Sequence, residues 1–517
     1  MKNIVKHTCV LLFYLMVLPV VIPYAFINFA DSSGNSNQGD VPIVRDRDNF
    51  IYYYDHGAIG DGITCDFDAI VRAHEAANRL DKPVRADYSK TYFISGKRQT
   101  AIIQTDTDWR NAVFIIDERN LEDRHSRVFR ITSRYEAQPL GDYVISLTRG
   151  QANIGRTFTH DSLIFVEDAN TRRFIRRGRN EDTGQAQREV FLIDKDGNVD
   201  PSTPILWDYE QITSSAIRPI DTNLLTVKGG RFITMPGELC LRGLYQWRSI
   251  QVERSNTLVY GLRHDVVNDN NAPPHMGFVL VMDAANVTIK NSYFTGRRRT
   301  IHGSYGIYAR RAINLFLNEV RQTNDINDSR YWGIFASNES KNITFDEVTL
   351  SRFDAHRGVH NATIKNSVLG HQGISIIGSG LLTVENTTVS GSRFINLRSD
   401  YGSTWNGEII IRNSVFHPSG NTAQIIDGSN DGSWDFGYQT YLPTVVIEGL
   451  RIIDWQLRRN DNALRLFARF EQIQGARYRI MYPHDIIVNN LIRDSGYGFI
   501  TSLNADGKFE NVTVTIQ

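Results

Sequence analysis

Along the C-terminal half of the chain, short runs of alternating apolar and polar residues follow one another with no helical 3.6-residue period between them. "NVTIKNSYF" from Asn286, "INLFLNEV" from Ile313, "NITFDEVTL" from Asn342, "NATIKNSVL" from Asn361, "LLTVENTTV" from Leu381 and "EIIIRNSVF" from Glu408 share one pattern. A β-branched strand meets a polar corner and a second short strand follows. The corners fall at Asn291, Asn318, Asp346, Asn366, Asn386 and Asn413, so the pattern recurs every 20 to 28 residues. That is the period of a solenoid. Strand-only repeats with Asn and Gly at the corners predict an all-β fold, a parallel β-helix whose turns stack about 4.8 Å apart. Asparagine suits a corner because it tolerates the left-handed backbone and bonds its neighbour in the next turn. The Asn-x-Ser/Thr matches at Asn286, Asn342, Asn361 and Asn386 coincide with these corners and are weak evidence for glycosylation.

An open end of such a helix exposes strand backbone and core, and so needs a cap. Residues 52–80, "YYYDHGAIGDGITCDFDAIVRAHEAANRL", can supply one. A Gly-rich turn leads into an amphipathic helix carrying Ala69, Ile70, Ala73, Ala76 and Ala77. The stretch resembles the D-F-G-A-x-G-D-G-x-T-D-D-x-x-A-I opening of the pectate-lyase-like β-helix superfamily, which includes rhamnogalacturonase-like, epimerase-like and tailspike proteins. It departs from that opening at His56 and Cys65. The resemblance implies a right-handed parallel β-helix with an N-terminal capping helix. It implies little about catalysis, since the glycines and Asp61 serve the turn and the cap.

The N-terminus adds a targeting segment. Lys2 and Lys6 precede an apolar run from Cys9 to about Ala30, and "DSSGNSNQGD" follows as a polar spacer. This reads as an export signal or an uncleaved anchor, which makes the protein secreted or cell-surface. The expected organisation is a signal or anchor over 1–30, a linker over 31–48, cap and first turn over 49–96, a β-rich insert over 97–220, and β-helix over 221–517. In the insert the repeat fades into β-hairpins. It carries a basic cluster at Arg172, Arg173, Arg176, Arg177 and Arg179, read either as an anion site or as a solvated hairpin. "DKDGNVD" (194–200) resembles part of a calcium loop but lacks the closing Glu, so it reads as a hairpin turn. Without Cys9 the cysteines are Cys65 and Cys240, two distant residues read as buried thiols.

Chemistry is sought where the repeat is broken. Aligned on the corners, "FDAHR" (353–357) runs beside "GIFAS" (333–337) and "GISII" (373–377). That alignment places Asp354 in the column of Ile334 and Ile374, and His356 in the column of Ala336 and Ile376. It places His371 beside Ser351, so the two H-x-G pieces at His356 and His371 do not stack. A lone buried carboxylate is costly. Either Asp354 and His356 pair inside the helix, or they and Arg357 face a groove. Polar breaks in an apolar pattern are enriched at functional sites. Flanking turns add Asp325, Asp328, Arg330, Tyr331 and Trp332 on one side, and Arg398, Asp400, Tyr401 and Trp405 on the other. Expected catalytic residues are Asp354, His356, Arg357, Tyr331, Arg398 and Asp400. Expected substrate contacts are Arg330, Trp332, His371, Tyr401, Trp405, Asp325 and Asp328.

Charge narrows the partners. Lys+Arg and Asp+Glu are both 57, and a formal net charge of zero argues against a nucleic-acid binder. Zinc spacings, a Walker loop, a dinucleotide fingerprint and a nucleophile elbow are missing. No metal or other cofactor is required by the sequence, and no acidic calcium cluster is visible. A membrane would be met only through the N-terminal segment. Two functions fit: an exported enzyme cleaving an acidic polysaccharide by β-elimination or hydrolysis, and a non-catalytic glycan-binding adhesin or tailspike-like module.

Overall fold

The structure is a computed structural model, and it describes residues 46–141, 144–176, 182–238, 244–270, 272–299, 302–420, 423–455, 464–467, 472–483, 485–494 and 513–516. The N-terminal apolar run, Cys240, Arg177 and Arg179 lie outside these residues.

Three ladders of parallel strands make a β-helix. The first runs from Ile51–Tyr52 through Leu225–Lys228 to Thr513–Ile516. A second begins at Asp61–Cys65 and includes Thr91–Ile94, Val113–Asp117 and Arg231–Met235. The third joins Ala101–Ile103, Phe129–Ile131, Ile250–Val252 and Val279–Met282, and continues to Leu464–Phe467. In this third ladder Phe129, Ile250, Val279, Ile307, Phe335, Phe353, Ile374, Ile395 and Ile426 stack inward with 0–1 % exposure. Each such side chain contributes roughly 1.5–3 kcal/mol on burial.

The first left-handed corner column runs Asn291, Glu319, Glu347, Asn366, Asn386 and Asn413, with φ between 43° and 56°. Two expected corners are therefore one residue early, since glutamates follow Asn318 and Asp346 into the left-handed position. Asn318 still bonds across the turn, its Nδ2 donating to Asp346 O at 3.4 Å. A second corner column carries a continuous amide ladder: Asn286 donates to Asn256 (3.0 Å), Asn314 to Asn286 (2.9 Å), Asn342 to Asn314 (3.0 Å) and Asn361 to Asn342 (3.1 Å). All five have φ of 50–58°.

Helix Phe67–Leu80 caps the solenoid and buries Phe67, Ala69, Ile70, Ala73, His74, Ala76 and Ala77. The turn before it is held by carboxylates. Asp66 accepts from the backbone N–H of Ile59 at 2.6 Å, and Asp61 from those of Ile63 and Thr64 at 2.8 and 2.7 Å. Cys65 is half-buried, its thiol 3.2 Å from Ser95 Oγ.

Strands between residues 101 and 131 belong to the ladders, so the region read as insert from residue 97 contains a β-helix turn first. The side module is a four-stranded antiparallel sheet of Gln138–Pro139, Ser162–Arg173, Gln185–Ile193 and Ser214–Pro219. One face covers its own core of Ile164, Val166, Phe191 and Ile193, and the other packs Leu163 and Val190 on Ala285 and Ile313 of the β-helix. "DKDGNVD" is a hairpin turn, with Asp194 Oδ1 accepting from the N–H of Asp196 and of Asn198, both at 2.9 Å.

Asn314→Ala removes an amide that donates to one rung and accepts from another, and puts a Cβ residue without a compensating side chain at φ 51°. Two lost bonds plus left-handed strain predict a stability loss of about 2–4 kcal/mol. Asn314→Gly, free of the strain, should lose less; equal losses in denaturant unfolding would show that the ladder is energetically idle.

Candidate functional site

The polar break at 353–357 lies on the outer side of the third ladder. Phe353 pairs with Ile374 and Asp354 with Ser375, while Ala355 pairs with Ser337 and Arg357 with Asn338. Asp354 thus stands one step out of the inward column expected for it, and Phe353 takes that place. His356 is the extra residue of a β-bulge, the device that re-aims a side chain out of a ladder. The expected register failed because the turn after Leu369 is longer than a corner-to-corner count allows.

Asp354 faces outward yet is 0 % exposed, because loops cover this side of the ladder. Arg398 Nη1 donates to its Oδ1 at 2.9 Å, and Arg352 Nη2 lies 2.8 Å from its Oδ2 in an ion pair without hydrogen-bond alignment. The chain of charge continues. Arg398 Nη2 reaches Asp400 at 2.8 Å, and Arg176 of the side module reaches the same Asp400 oxygen at 2.6 Å. These two arginines hold the Asp400 carboxyl below its ordinary value against the opposing effect of burial. Neither arrangement expected from the sequence occurs: Asp354 is not paired with His356, and it is not open to a groove.

His356 is half-buried and oriented by a short relay. Asn338 Nδ2 donates to Tyr308 Oη at 2.6 Å, which leaves Asn338 Oδ1 as acceptor for His356 Nδ1 at 3.2 Å. The Nδ1–H tautomer follows, with the lone pair on Nε2. Burial, and then the positive charges of Arg398, Arg357, Arg176 and Arg352, push this imidazole well below its ordinary value, so it is neutral near pH 7. Its ring meets Tyr401 edge-on at 5.4 Å, and Tyr401 has Arg176 and Arg398 over it at 5.4 and 5.5 Å.

The other expected residues divide. Tyr401 and Trp405 are 0 % exposed, and Trp405 Nε1 donates to Gly380 O and Glu408 O, so both are wall rather than sugar platforms. His371 Nδ1 bonds Ile326 O at 2.9 Å and holds the 325–332 loop at its corner. In that loop Asp325 binds the N–H of Asn327, and exposed Arg330 pulls the Asp328 carboxyl down to about 2. Tyr331 bridges Arg298. Arg299 and Arg352 both lie over the Trp332 ring, at 5.2 and 5.5 Å, and Arg352 joins this loop to Asp354. Within the basic cluster Arg172, Arg173 and Arg176 are engaged inside the protein.

A cavity of about 160 Å³ opens beside this network, between the side module and the β-helix. Arg357 is the one expected site residue that lines it; Arg149, Trp207, Glu339, His360 and Tyr438 were not foreseen. Two ion pairs fasten its walls: Arg188 to Glu339 at 2.8 Å, and buried Lys341 to Glu189 at 2.9 Å. Lys341 carried a legible signal, since it follows apolar Ala285 and Ile313 in an outward column that turns polar from there on. Among the described residues, no three His, Cys, Asp or Glu side chains converge as a metal-ligand set.

No family model and no curated protein matches the chain by sequence. Solved structures resemble it at low identity. A tailspike of Acinetobacter baumannii bacteriophage AP22, in complex with capsular saccharide, is 11 % identical with a TM-score of 0.49, over 86 % of this chain and 76 % of that one. The tailspike gp49 of Pseudomonas phage LKA1 is 13 % identical with a TM-score of 0.48, over 86 % and 81 %. The mannuronan C-5 epimerase A-module of Azotobacter vinelandii is 12 % identical with a TM-score of 0.40, over 91 % and 97 %.

Asp354→Asn should lower stability by about 3–5 kcal/mol, because it leaves Arg352 and Arg398 buried without their shared counter-charge. Asp328→Asn, at an exposed pair, should leave Tm unchanged. Comparable Tm values for the two variants would count against the buried chain as a structural element. Acid should act through histidines. An unfolded imidazole takes a proton near pH 6.5, whereas burial pushes His74 down to about 3 and His360 to about 4. Between those values the unfolded chain binds more protons, so Tm should fall steadily from pH 7 to pH 5. A Tm flat over that range would contradict the neutral burial of these rings.

Proposed function

We propose that this protein is an exported β-helix enzyme that cleaves an acidic polysaccharide by β-elimination, with His356 as the base. One observation carries the reading: a neutral imidazole, its tautomer fixed by Asn338 and its Nε2 lone pair unspent on that relay, is held among guanidinium groups. A uronate supplies what such a site accepts, a carboxylate for the cations and an acidic C5 proton for the base. His356 Nε2 would take the C5 proton while the freed electron pair forms the C4–C5 double bond. The C4–O bond breaks with its electron pair, and the departing oxygen takes a proton from water. Arg357 is the cation assigned to the carboxylate, since it follows His356 directly and lines the cavity beside it.

Hydrolysis by the expected carboxylates has less support. A general acid must hold its proton near neutral pH, yet Asp400 and Asp328 are shifted the opposite way and Asp354 sits against two guanidinium groups. The second reading, glycan binding without cleavage, draws support from the enclosure of Asp354, Tyr401 and Trp405. Both readings keep a surface or secreted setting and a kinship with the pectate-lyase-like superfamily.

The test incubates the exported portion with uronate and neutral polysaccharides, following unsaturated-product absorbance together with reducing ends. The expected outcome is absorbance from a uronate polymer alone, reduced about 10²–10⁴-fold in His356→Ala. The rate should stay level from pH 7 to about 5.5, because the base remains unprotonated there. Silence across the panel would favour the binding reading, and full activity in His356→Ala would remove the assigned base.

A further inference from the structure

The cavity between the side module and the β-helix holds a buried carboxylate oxygen with nothing bonded to it. Glu339 has a side chain 3 % exposed; Arg188 Nε donates to its Oε2 at 2.8 Å, and its Oε1 is buried with no hydrogen-bond partner. A charged acceptor left unsatisfied in a buried place is costly. Glu339 also occupies a left-handed backbone position, φ 55°, that non-glycine residues adopt at a cost. Across the ladder Gly358 keeps the module close: a Cβ there would meet the Phe174 ring at 2.9 Å. These features coincide at one space, whose walls include Trp207, Tyr438, Arg149 and Arg357.

The occupant such walls recognise is limited by size and by chemistry. About 160 Å³ equals roughly five water volumes, room for one sugar ring. Glu339 Oε1 calls for an O–H or N–H donor. Arg149, whose side chain is exposed at the rim, and Arg357 call for an anion. Trp207 and Tyr438, with ring centroids 6.3 Å apart, add aromatic wall to the space.

We infer that this cavity is a pocket for the terminal uronate of a glycan chain, with a ring hydroxyl donated to Glu339 Oε1 and the carboxylate held by Arg149 and Arg357. The inference rests on the acidic-polysaccharide reading above and adds its polarity. A pocket that takes one ring, with Arg357 next to His356 in its wall, would have the protein act from chain ends, releasing small products rather than cutting mid-chain.

Titration calorimetry of the full chain with D-glucuronate, D-galacturonate and D-glucose tests this apart from catalysis. At least one uronate should bind in the millimolar range, and D-glucose at least tenfold more weakly. Glu339→Ala and Arg149→Ala should each weaken the uronate at least tenfold, while His356→Ala binds it as the wild type does. Arg149→Ala alters an exposed side chain, so it reports on binding even if Glu339→Ala folds poorly. No uronate binding up to about 20-fold above a millimolar Kd, or binding indifferent to both variants, would overturn the pocket. If a uronate polymer is cleaved, its viscosity should fall slowly relative to product absorbance; a rapid early fall would refute the chain-end mode while leaving His356 as base intact.

Discussion

Removing an aspartate from water costs several kcal/mol, and that cost is met only where opposite charge and hydrogen bonds replace the lost hydration. Asp354 has no exposure at all, so the loops over the third ladder have to deliver cations to it. Arg352 arrives from the turn before it and Arg398 from two rungs on, and each brings further partners. Arg352 lies over Trp332, and Arg398 extends through Asp400 to Arg176 of the side module. One buried carboxylate thereby fixes the 325–332 loop, the turn at 398–401 and the edge of the antiparallel sheet. Lys341 with Glu189, and Arg188 with Glu339, repeat the device further along the same seam. The cavity exists because these charge pairs hold its two walls at a set distance.

A seam built this way adds little net stability. Replacing buried ion pairs with fitted apolar residues is often neutral or favourable, whereas deleting one partner is costly. The module already has apolar anchorage through Leu163 and Val190 on Ala285 and Ile313. The charges therefore determine placement more than strength. The same guanidinium groups that neutralise Asp354 and Asp400 also surround His356, where they disfavour the imidazolium. Structural pairing and, with burial, an uncharged imidazole at His356 both follow from one arrangement of arginines.

The solenoid was legible because stacking is periodic. A residue that turns inward in one rung turns inward in the next, so the β-branched columns and the Asn corners repeat visibly. Corners were misplaced where glutamate, a residue with no special liking for the left-handed region, followed the polar residue that drew notice: Glu319 after Asn318 and Glu347 after Asp346. The capping helix was readable from its alanine face. The side module showed as hairpins, but not its contact with the ladder, since sequence carries no register between elements that merely pack.

The site was half legible for a related reason. "FDAHR" does mark a break in the repeat, with Asp354 buried against two arginines and His356 on a bulge. However, inward and outward columns exchange when a count is wrong by one. Ala336 reads as inward because it is apolar; it lies outward beneath covering loops, paired with Tyr308, as Asp354 does with Ser375. The outer face of a covered ladder has the same composition as a core, so hydrophobicity alone cannot separate the two. What separates them is the appearance of charge along an apolar outward column. Ala336 gives way to Asp354, and Ala285 and Ile313 give way to Lys341, at adjoining rungs of two different ladders. Each switch needs a counter-charge from another element: Asp354 takes Arg352 and Arg398 from neighbouring turns, and Lys341 takes Glu189 from the side module. A pair of such switches on neighbouring rungs locates the seam, and with it the cavity, from sequence position once the ladders are in register.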